Sequence, residues 1–294
     1  MNDRLNSPKT SDKATEHPLI SIITVVFNSQ LFLAATIQSV IEQSYQNVEY
    51  IIIDGGSTDG TLEIIRQYES YLSCWISESD RGIYDAMNKG IALAQGEIIG
   101  ILNSGDRYTP DALQQVAQLY EENCLEQLII TGAMIRFDPE TKVKFVQRRQ
   151  AADLAQKINW GMPINHPATF VTKSVYQVVG NFNPEFKIGG DYDLIYRAYH
   201  EGTVKFVFTD SVLALMSMGG ISEKLSGIGI RAREAMQVRQ HELGKFPNMM
   251  LALRVIVIGY IKYLLTAVAG QKAVLIRHEI EQKTANLKNL VDRP

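Results

Sequence analysis

Three aspartates stand where an apolar run or a glycine pair gives way to small polar residues. Asp54 follows Val48 to Ile53 and heads Asp54-Gly55-Gly56-Ser57-Thr58-Asp59-Gly60. Asp106 ends the stretch Glu97-Ile98-Ile99-Gly100-Ile101-Leu102-Asn103-Ser104-Gly105-Asp106, and Asp191 follows Gly189-Gly190. A carboxylate so placed can accept from a ligand N–H, hold a hard cation or take a proton as a general base. Each aspartate alone also has a plainer use. Asp54 and Ser104-Gly105-Asp106 suit surface turns, and Asp191 suits a helix N-cap. Together with Asn28 and the segment Asp80-Arg81-Gly82-Ile83-Tyr84-Asp85-Ala86-Met87-Asn88-Lys89-Gly90, they form a set of polar loops able to converge on one crevice.

Convergence requires strands that end side by side. Leu19 to Phe27 is apolar and β-branched; Asn28-Ser29 then breaks it and offers an N-cap before Leu33, Ile37, Val40 and Ile41 at helical spacing. The pattern repeats with Val48 to Ile53, the Asp54 loop and a helical stretch from Leu62 to Tyr68. A third short strand is expected at Leu72 to Ile76, and a third helix through Ile83, Met87 and Ile91, closed by Gly96. Ile98 to Leu102 reads as a strand buried on both faces. Such alternation predicts right-handed crossovers and an α/β fold with a mostly parallel sheet flanked by helices, its ligands bound beyond the carboxyl ends of the strands.

After Asp106 a helix is expected from Pro110 through Tyr120. A hairpin, Leu128 to Phe137 with Val143 to Val146 around Asp138-Pro139-Glu140, breaks the alternation. Then come a strand at Ala168 to Val171, a helix near Ser174 to Val179, a helix opened by Asp191, and strands at Val204 to Phe208 and Val212 to Met216.

The chain has 294 residues, 46% of them hydrophobic, enough for one sizeable domain with an appendage. Its net charge of −3, from 29 basic and 32 acidic residues, argues against a nucleic-acid partner. Cys74 and Cys124 make neither a disulfide framework nor a metal-ligand spacing, as suits a cytoplasmic protein. Residues 1–17 are polar and lack a signal-peptide core, so they are expected to be a disordered tail. Met249 to Gly270 is nearly all apolar but interrupted by Arg254 and Lys262. A helix lying in the membrane interface is preferred over a span, with a helix packed on the domain as the alternative. Lys245, Arg254, Lys262, Lys272 and Arg277 suit an anionic leaflet.

The order and spacing of these pieces resemble family 2 glycosyltransferases of the GT-A fold. The resemblance is carried by Ser21 to Phe27 with Asn28, the Asp54 loop, Asp80 to Gly90, Leu102 to Asp106 and Gly190-Asp191-Tyr192-Asp193-Leu194, from about residue 18 to 222. Asn165-His166-Pro167-Ala168-Thr169-Phe170 and Gly219-Gly220-Ile221-Ser222 resemble the branch that builds bacterial exopolysaccharides, colanic-acid-type enzymes included. This implies a GT-A domain over 18–222, with a Rossmann-like sheet, and a C-terminal helical, membrane-associated extension over 223–294.

The resemblance also implies roles. Asp54 would hydrogen-bond the nucleotide base, usually uracil or guanine, with Phe27 and Asn28 as the adjoining wall. Asp106 would hold Mn²⁺ or Mg²⁺ against the diphosphate, next to Asn103 and Ser104. Asn103 and Gly105 stand where many relatives carry Asp, which implies weak metal binding without the nucleotide. Asp80, Asn88 and Lys89 would line the sugar or phosphate pocket, Lys89 being equally explained by the dipole at a helix C-terminus. Asp191 would be the general base of a single inverting displacement, with Asp193 its competitor. From their own setting, His166 reads as an acceptor or diphosphate contact or as a structural histidine, and Trp160 with Met162 as an apolar acceptor platform or as core.

The expected function is transfer of a sugar from a UDP- or GDP-sugar to a lipid-linked saccharide acceptor, by an enzyme peripheral on the inner face of the cell membrane. A catalytically silent sugar-nucleotide-binding scaffold is the alternative, because the acidic motif is reduced. A dehydrogenase is disfavoured, since no Gly-x-Gly-x-x-Gly follows the first strand.

Overall fold

The computed structural model describes residues 17–138, 142, 144–218, 225–240 and 245–269. The tail 1–16, the pattern Gly219 to Ser222, Val143, Pro139-Glu140, Lys272 and Arg277 lie outside them, as do the side chains of Lys245 and Lys262.

Four strands, β1 (Ile20–Val26), β2 (Val48–Asp54), β3 (Cys74–Ser77) and β4 (Ile98–Ile101), pair in parallel in the order β3-β2-β1-β4. Helices α1 (Leu33–Ile41), α2 (Thr61–Gln67) and α3 (Ile83–Leu93) make the crossovers. The registers decide where the site falls. Val26 pairs with Asp54, Asp54 with Ser77, and Ile23 with Ile101, so these strands end at one edge.

Beyond β4 the pairing becomes mixed. The elements are β5 (Arg107–Tyr108), α4 (Ala112–Asn123), β6 (Leu128–Phe137), β7 (Lys144–Gln147), α5 (Ala151–Lys157), a 3-10 turn at His166–Ala168, β8 (Thr169–Thr172), α6 (Lys173–Val179), α7 (Gly190–Glu201) and β9 (Lys205–Ser217). Strand β8 runs antiparallel between β4 and β6, β9 lies parallel to β6, β5 caps the far side of β9, and β7 pairs with β6 as the expected hairpin. Helices α8 (Leu225–Val238) and α9 (Lys245–Ala269) follow, and Ala235 and Val238 of α8 join the core that holds α7.

Period-two alternation explains why the strand sequences read as unbroken apolar runs. Ile23, Val25, Ile51, Ile53, Ile99 and Ile101 face a core shared with Met87 of α3 and Leu194 and Ile195 of α7. Ile22, Val26, Ile52 and Ile98 face the opposite core, with Leu33 and Ile37 of α1 and Leu113 and Val116 of α4. Both faces of the sheet are covered, so neither needs polar residues.

Two local expectations need correction. Asn28-Ser29 does not cap α1; the cap residue is Phe32, with no side-chain bond. Asn28 takes a left-handed backbone, φ 47°, and its Oδ1 instead accepts from the Thr58 N–H at 2.9 Å. The stretches 204–208 and 212–216 belong to one strand. β9 skips from Phe208, opposite Thr131, to Val212, opposite Ala133, so Thr209-Asp210-Ser211 bulges and pairing with β6 resumes beyond it.

Candidate active site

At the common strand edge Asp54 is fully buried, and its carboxylate organises its own loop. Oδ2 accepts from the N–H groups of Gly56 (3.1 Å) and Ser57 (3.0 Å) and from the Ser77 hydroxyl (2.7 Å), while Oδ1 accepts from the Ser57 hydroxyl. Ser57 Oγ also receives the Asn28 N–H at 2.8 Å, which ties the end of β1 to this loop. Phe27 is 62% exposed, a large aromatic face left open to solvent. Gly55 lets Asp80 approach. A Cβ there would meet Asp80 Oδ2 at 2.5 Å and Phe27 Cδ2 at 3.5 Å. Phe27, Asn28, the Asp54 loop and Asp80 therefore gather in one place.

Asn88 and Lys89, on α3, are engaged elsewhere. Asn88 donates to Phe182 O at 2.8 Å and accepts the Phe182 N–H at 3.0 Å, as a strand neighbour would. Lys89 pairs with Glu78 at 2.7 Å and reaches Asp85 at 3.7 Å.

The β4 end continues along β1, since Ser104 N–H donates to Val25 O at 3.2 Å. Ser104 Oγ lies 2.7 Å from Ser29 Oγ. Asp106 is buried and is held from two other elements: its Oδ1 accepts from Ser217 N–H at 3.1 Å, and its backbone carbonyl accepts from the Thr36 hydroxyl at 2.8 Å. Burial pushes the Asp106 carboxyl up to about 7, against the lowering effects of the Ser217 N–H and of Arg136. In the same turn Asn103 Oδ1 is buried with no hydrogen-bond partner. These two oxygens suit Mn²⁺ or Mg²⁺ as part of a shell. Among the described residues no group of three or more His, Cys, Asp or Glu could hold a metal. Asp106 and Asn103 could thus supply at most part of a cation's shell.

Asp191 lies inside the first turn of α7, behind a Gly189 cap, so it is not the cap residue of this helix, although its carboxylate meets a first-turn amide. Its Oδ1 accepts the Tyr192 N–H at 2.8 Å and lies 3.3 Å from the Tyr84 hydroxyl, whose one proton points to the Ile188 carbonyl at 2.6 Å and reaches Asp191 only as a weaker, shared contact. Gly190 is needed for this meeting, because a Cβ would stand 2.8 Å from the Tyr84 ring. Asp193 is spent on Arg197, with N–O distances of 2.8 and 3.0 Å.

Asp191 and His166 share the lining of a cavity of about 20 Å³ with Ile99, Ile101, Met162 and Phe182, room for one water. Burial raises the Asp191 carboxyl, opposed by His166, the Tyr192 N–H and the Tyr84 hydroxyl. Burial lowers His166, favouring the neutral imidazole, with the Asp191 charge working the other way.

Met162 also borders an open groove of about 460 Å³, formed with Gln156, Lys157, Trp160, Gly161 and Arg254. Trp160 is 47% exposed, and the Arg254 guanidinium of α9 sits 4.0 Å from its ring centroid.

Sequence reasoning singled out neither Tyr84 nor Ser29. Tyr84 carried one signal, a hydroxyl-bearing aromatic amid the polar Asp80 to Gly90 segment; Ser29 looked like a helix cap.

The chain belongs to glycosyl transferase family 2, whose sequence pattern matches residues 21–178. A glycosyltransferase of Mycobacterium tuberculosis is 32% identical over 195 residues, covering 63% of this chain and 70% of that one. The PGL/p-HBAD biosynthesis glycosyltransferase of Mycobacterium bovis is 28% identical over 213 residues, 71% of this chain and 80% of its own. In fold the chain is similar to S. aureus TarS 1-349 in complex with UDP-GlcNAc, with a TM-score of 0.59, 15% identity and coverage of 83% and 73%. It spans 42% of the longer TarS chain. It is also similar to the mannosyltransferase PcManGT of Pyrobaculum calidifontis in complex with GDP-Man and Mn²⁺, with a TM-score of 0.58, 16% identity and coverage of 92% and 81%. The architecture is the GT-A fold.

Proposed function

We propose that this glycosyltransferase moves a sugar from a UDP- or GDP-sugar to a lipid-linked saccharide acceptor, with inversion, in the synthesis of a cell-surface polysaccharide of the exopolysaccharide type. The observation that carries the reading is Asp191, a partly buried carboxylate beside a cavity and within 3.3 Å of the Tyr84 hydroxyl, while its neighbour Asp193 is occupied by Arg197. Asp191 takes the proton of the acceptor hydroxyl as that oxygen bonds to the anomeric carbon. The bond to the nucleoside diphosphate breaks with its electron pair, in one displacement. Neutral His166 forms the other wall.

Phe27, Asn28 and the loop organised by Asp54 take the nucleotide base, with Asp80 at their edge. Ser104, Asn103 and Asp106 face the diphosphate, and Asp106 with Asn103 would hold Mn²⁺ or Mg²⁺. When bound, such a cation offsets the charge that builds on the leaving group. Asn88 and Lys89 act at one remove, Asn88 by fixing Phe182, which stacks on Tyr84 with centroids 5.5 Å apart. The acceptor lies along the Trp160 groove, and Met162 bridges that groove and the Asp191 cavity.

Helix α9 leaves Met249, Met250, Leu253, Val257, Tyr260 and Ile261 exposed at spacings that fall on one face. Among the described residues no helix is long and apolar enough to cross a membrane. That face would rest on the inner surface of the cell membrane, holding the enzyme where a lipid-linked acceptor is found.

A panel of UDP- and GDP-sugars, assayed with membrane-extracted lipid-linked saccharides for Mn²⁺-dependent nucleoside diphosphate release, tests the reading. Release with one donor, and product of inverted anomeric configuration, is expected. No release from any donor, or a retained configuration, would overturn it.

A further inference from the structure

The segment that delivers Asp191 is gripped by a carboxylate from the C-terminal extension. Glu234 of α8 is buried, and it accepts three successive backbone N–H groups. Lys187 N–H meets Oε1 at 2.8 Å, and the N–H groups of Ile188 and Gly189 meet Oε2 at 3.0 and 2.7 Å. These donors lead directly into the N-terminus of α7, where orphan N–H groups and the helix dipole both favour a negative charge.

The fit is close. A Cβ on Gly189 would stand 3.2 Å from both Cβ and Oε2 of Glu234. On the opposite side of the same turn the Ile188 carbonyl accepts the Tyr84 hydroxyl at 2.6 Å. Ile188 is therefore held by its N–H from α8 and by its carbonyl from α3, and Tyr84, which does the second of these, also touches Asp191.

From this clamp we propose that Glu234 is a positioning residue for Asp191, so that the extension supplies part of the frame of the active site. The proposal rests on the reading of Asp191 as the base. Glu234 does not reach the Asp54 or Asp106 loops through any of these bonds, so its effect falls on turnover and not on donor binding. A carboxylate matches three donors because its two oxygens offer about four acceptor sites, whereas a glutamine offers one oxygen and an amide that must donate.

The test uses the full chain with Glu234→Ala and Glu234→Gln, measuring kcat, donor KM, melting temperature and amide exchange. A misplacement of the base by about 1 Å costs on the order of 10²-fold. The expected result is a ~10²-fold fall in kcat for the folded alanine variant and a smaller fall for glutamine. Donor KM should stay within about twofold, and the amides of Lys187, Ile188 and Gly189 should exchange faster while those of β1 and β2 do not. If alanine fails to fold, the glutamine variant decides by the same readouts. Wild-type kcat per folded molecule, or unchanged exchange at those amides, overturns the proposal. Wild-type turnover in Asp191→Asn would instead refute the base reading, and the exchange result would still judge the clamp.

Discussion

The Tyr84 hydroxyl stands 3.3 Å from Asp191 Oδ1 and 2.6 Å from the Ile188 carbonyl, to which it donates. One side chain of α3 thus sets both the carboxylate and the turn before it. Tyr84→Phe keeps the ring, and with it the stacking on Phe182 and the packing against Gly190. It should cost about 1 kcal/mol of stability, the net worth of an ordinary hydrogen bond. Turnover should fall about tenfold with donor KM unchanged, a fraction of the ~10²- to 10⁴-fold that a well-placed base contributes, because the base remains and only its orientation is loosened. Steady-state kinetics beside a thermal melt separate the two effects, and an unaltered kcat removes Tyr84 from the arrangement.

Asp191→Asn gives a sharper outcome. The cap of α7 is Gly189, so asparagine should leave the melting temperature and donor affinity near wild type. It cannot accept a proton, and kcat should drop ~10²-fold or more.

The pH dependence of the wild type follows from the direction of the Asp191 shift. Burial raises this carboxyl above the ordinary aspartate value of about 3.9, so it loses its proton at higher pH than an exposed aspartate would. The base must be ionised to act. Activity is therefore lost as pH falls through the raised value, and the acid limb of kcat/KM should sit above the usual carboxylate range. A limb near pH 4 contradicts the assignment.

Asp106 should show a conflict between stability and function. Its folded-state value of about 7 lies above the unfolded value, so the folded protein holds this proton more tightly. The associated stability is fully present below about pH 4 and is lost as pH rises through about 7. Asp106→Asn cannot ionise and can still accept the Ser217 N–H. It should melt higher than wild type at pH 8, match it at pH 4, and lose Mn²⁺-dependent turnover. Melting curves at the two pH values and a Mn²⁺ titration of activity check each half.

For the groove, Trp160→Ala removes both the aromatic face and the seat of the Arg254 guanidinium. Acceptor KM should rise about tenfold, in line with the roughly 1–2 kcal/mol of a stacked aromatic contact, while donor KM stays constant. For the membrane face, Leu253→Asp with Val257→Asp should abolish co-sedimentation with vesicles of anionic phospholipid and leave the melting temperature unchanged, since both side chains are exposed. Retained binding to the vesicles would remove the lipid role of α9.

The alternation of apolar runs and helical periodicities was sufficient to determine the parallel half of this protein, because burial of both sheet faces leaves a long, local pattern in the chain. It also determined that Asp54, Asp80, Asp106 and Asp191 would lie at strand ends, in loops or at helix starts, since those positions follow from where the runs stop; Asp54 is the last residue of β2 itself. What each carboxylate does was decided only by tertiary structure. Asp54 binds its own loop, Asp106 is raised by burial although it accepts the Ser217 N–H, and Asp191 lines the cavity while Asp193, two residues on, pairs with Arg197. The two-residue β5 and the bulge in β9 left no sequence pattern, since strands that short are made by their partners. The grip of Glu234 on the Asp191 turn was equally illegible. A glutamate on an amphipathic helix looks like any solvated charge until packing removes the water and leaves three backbone N–H groups as its neighbours.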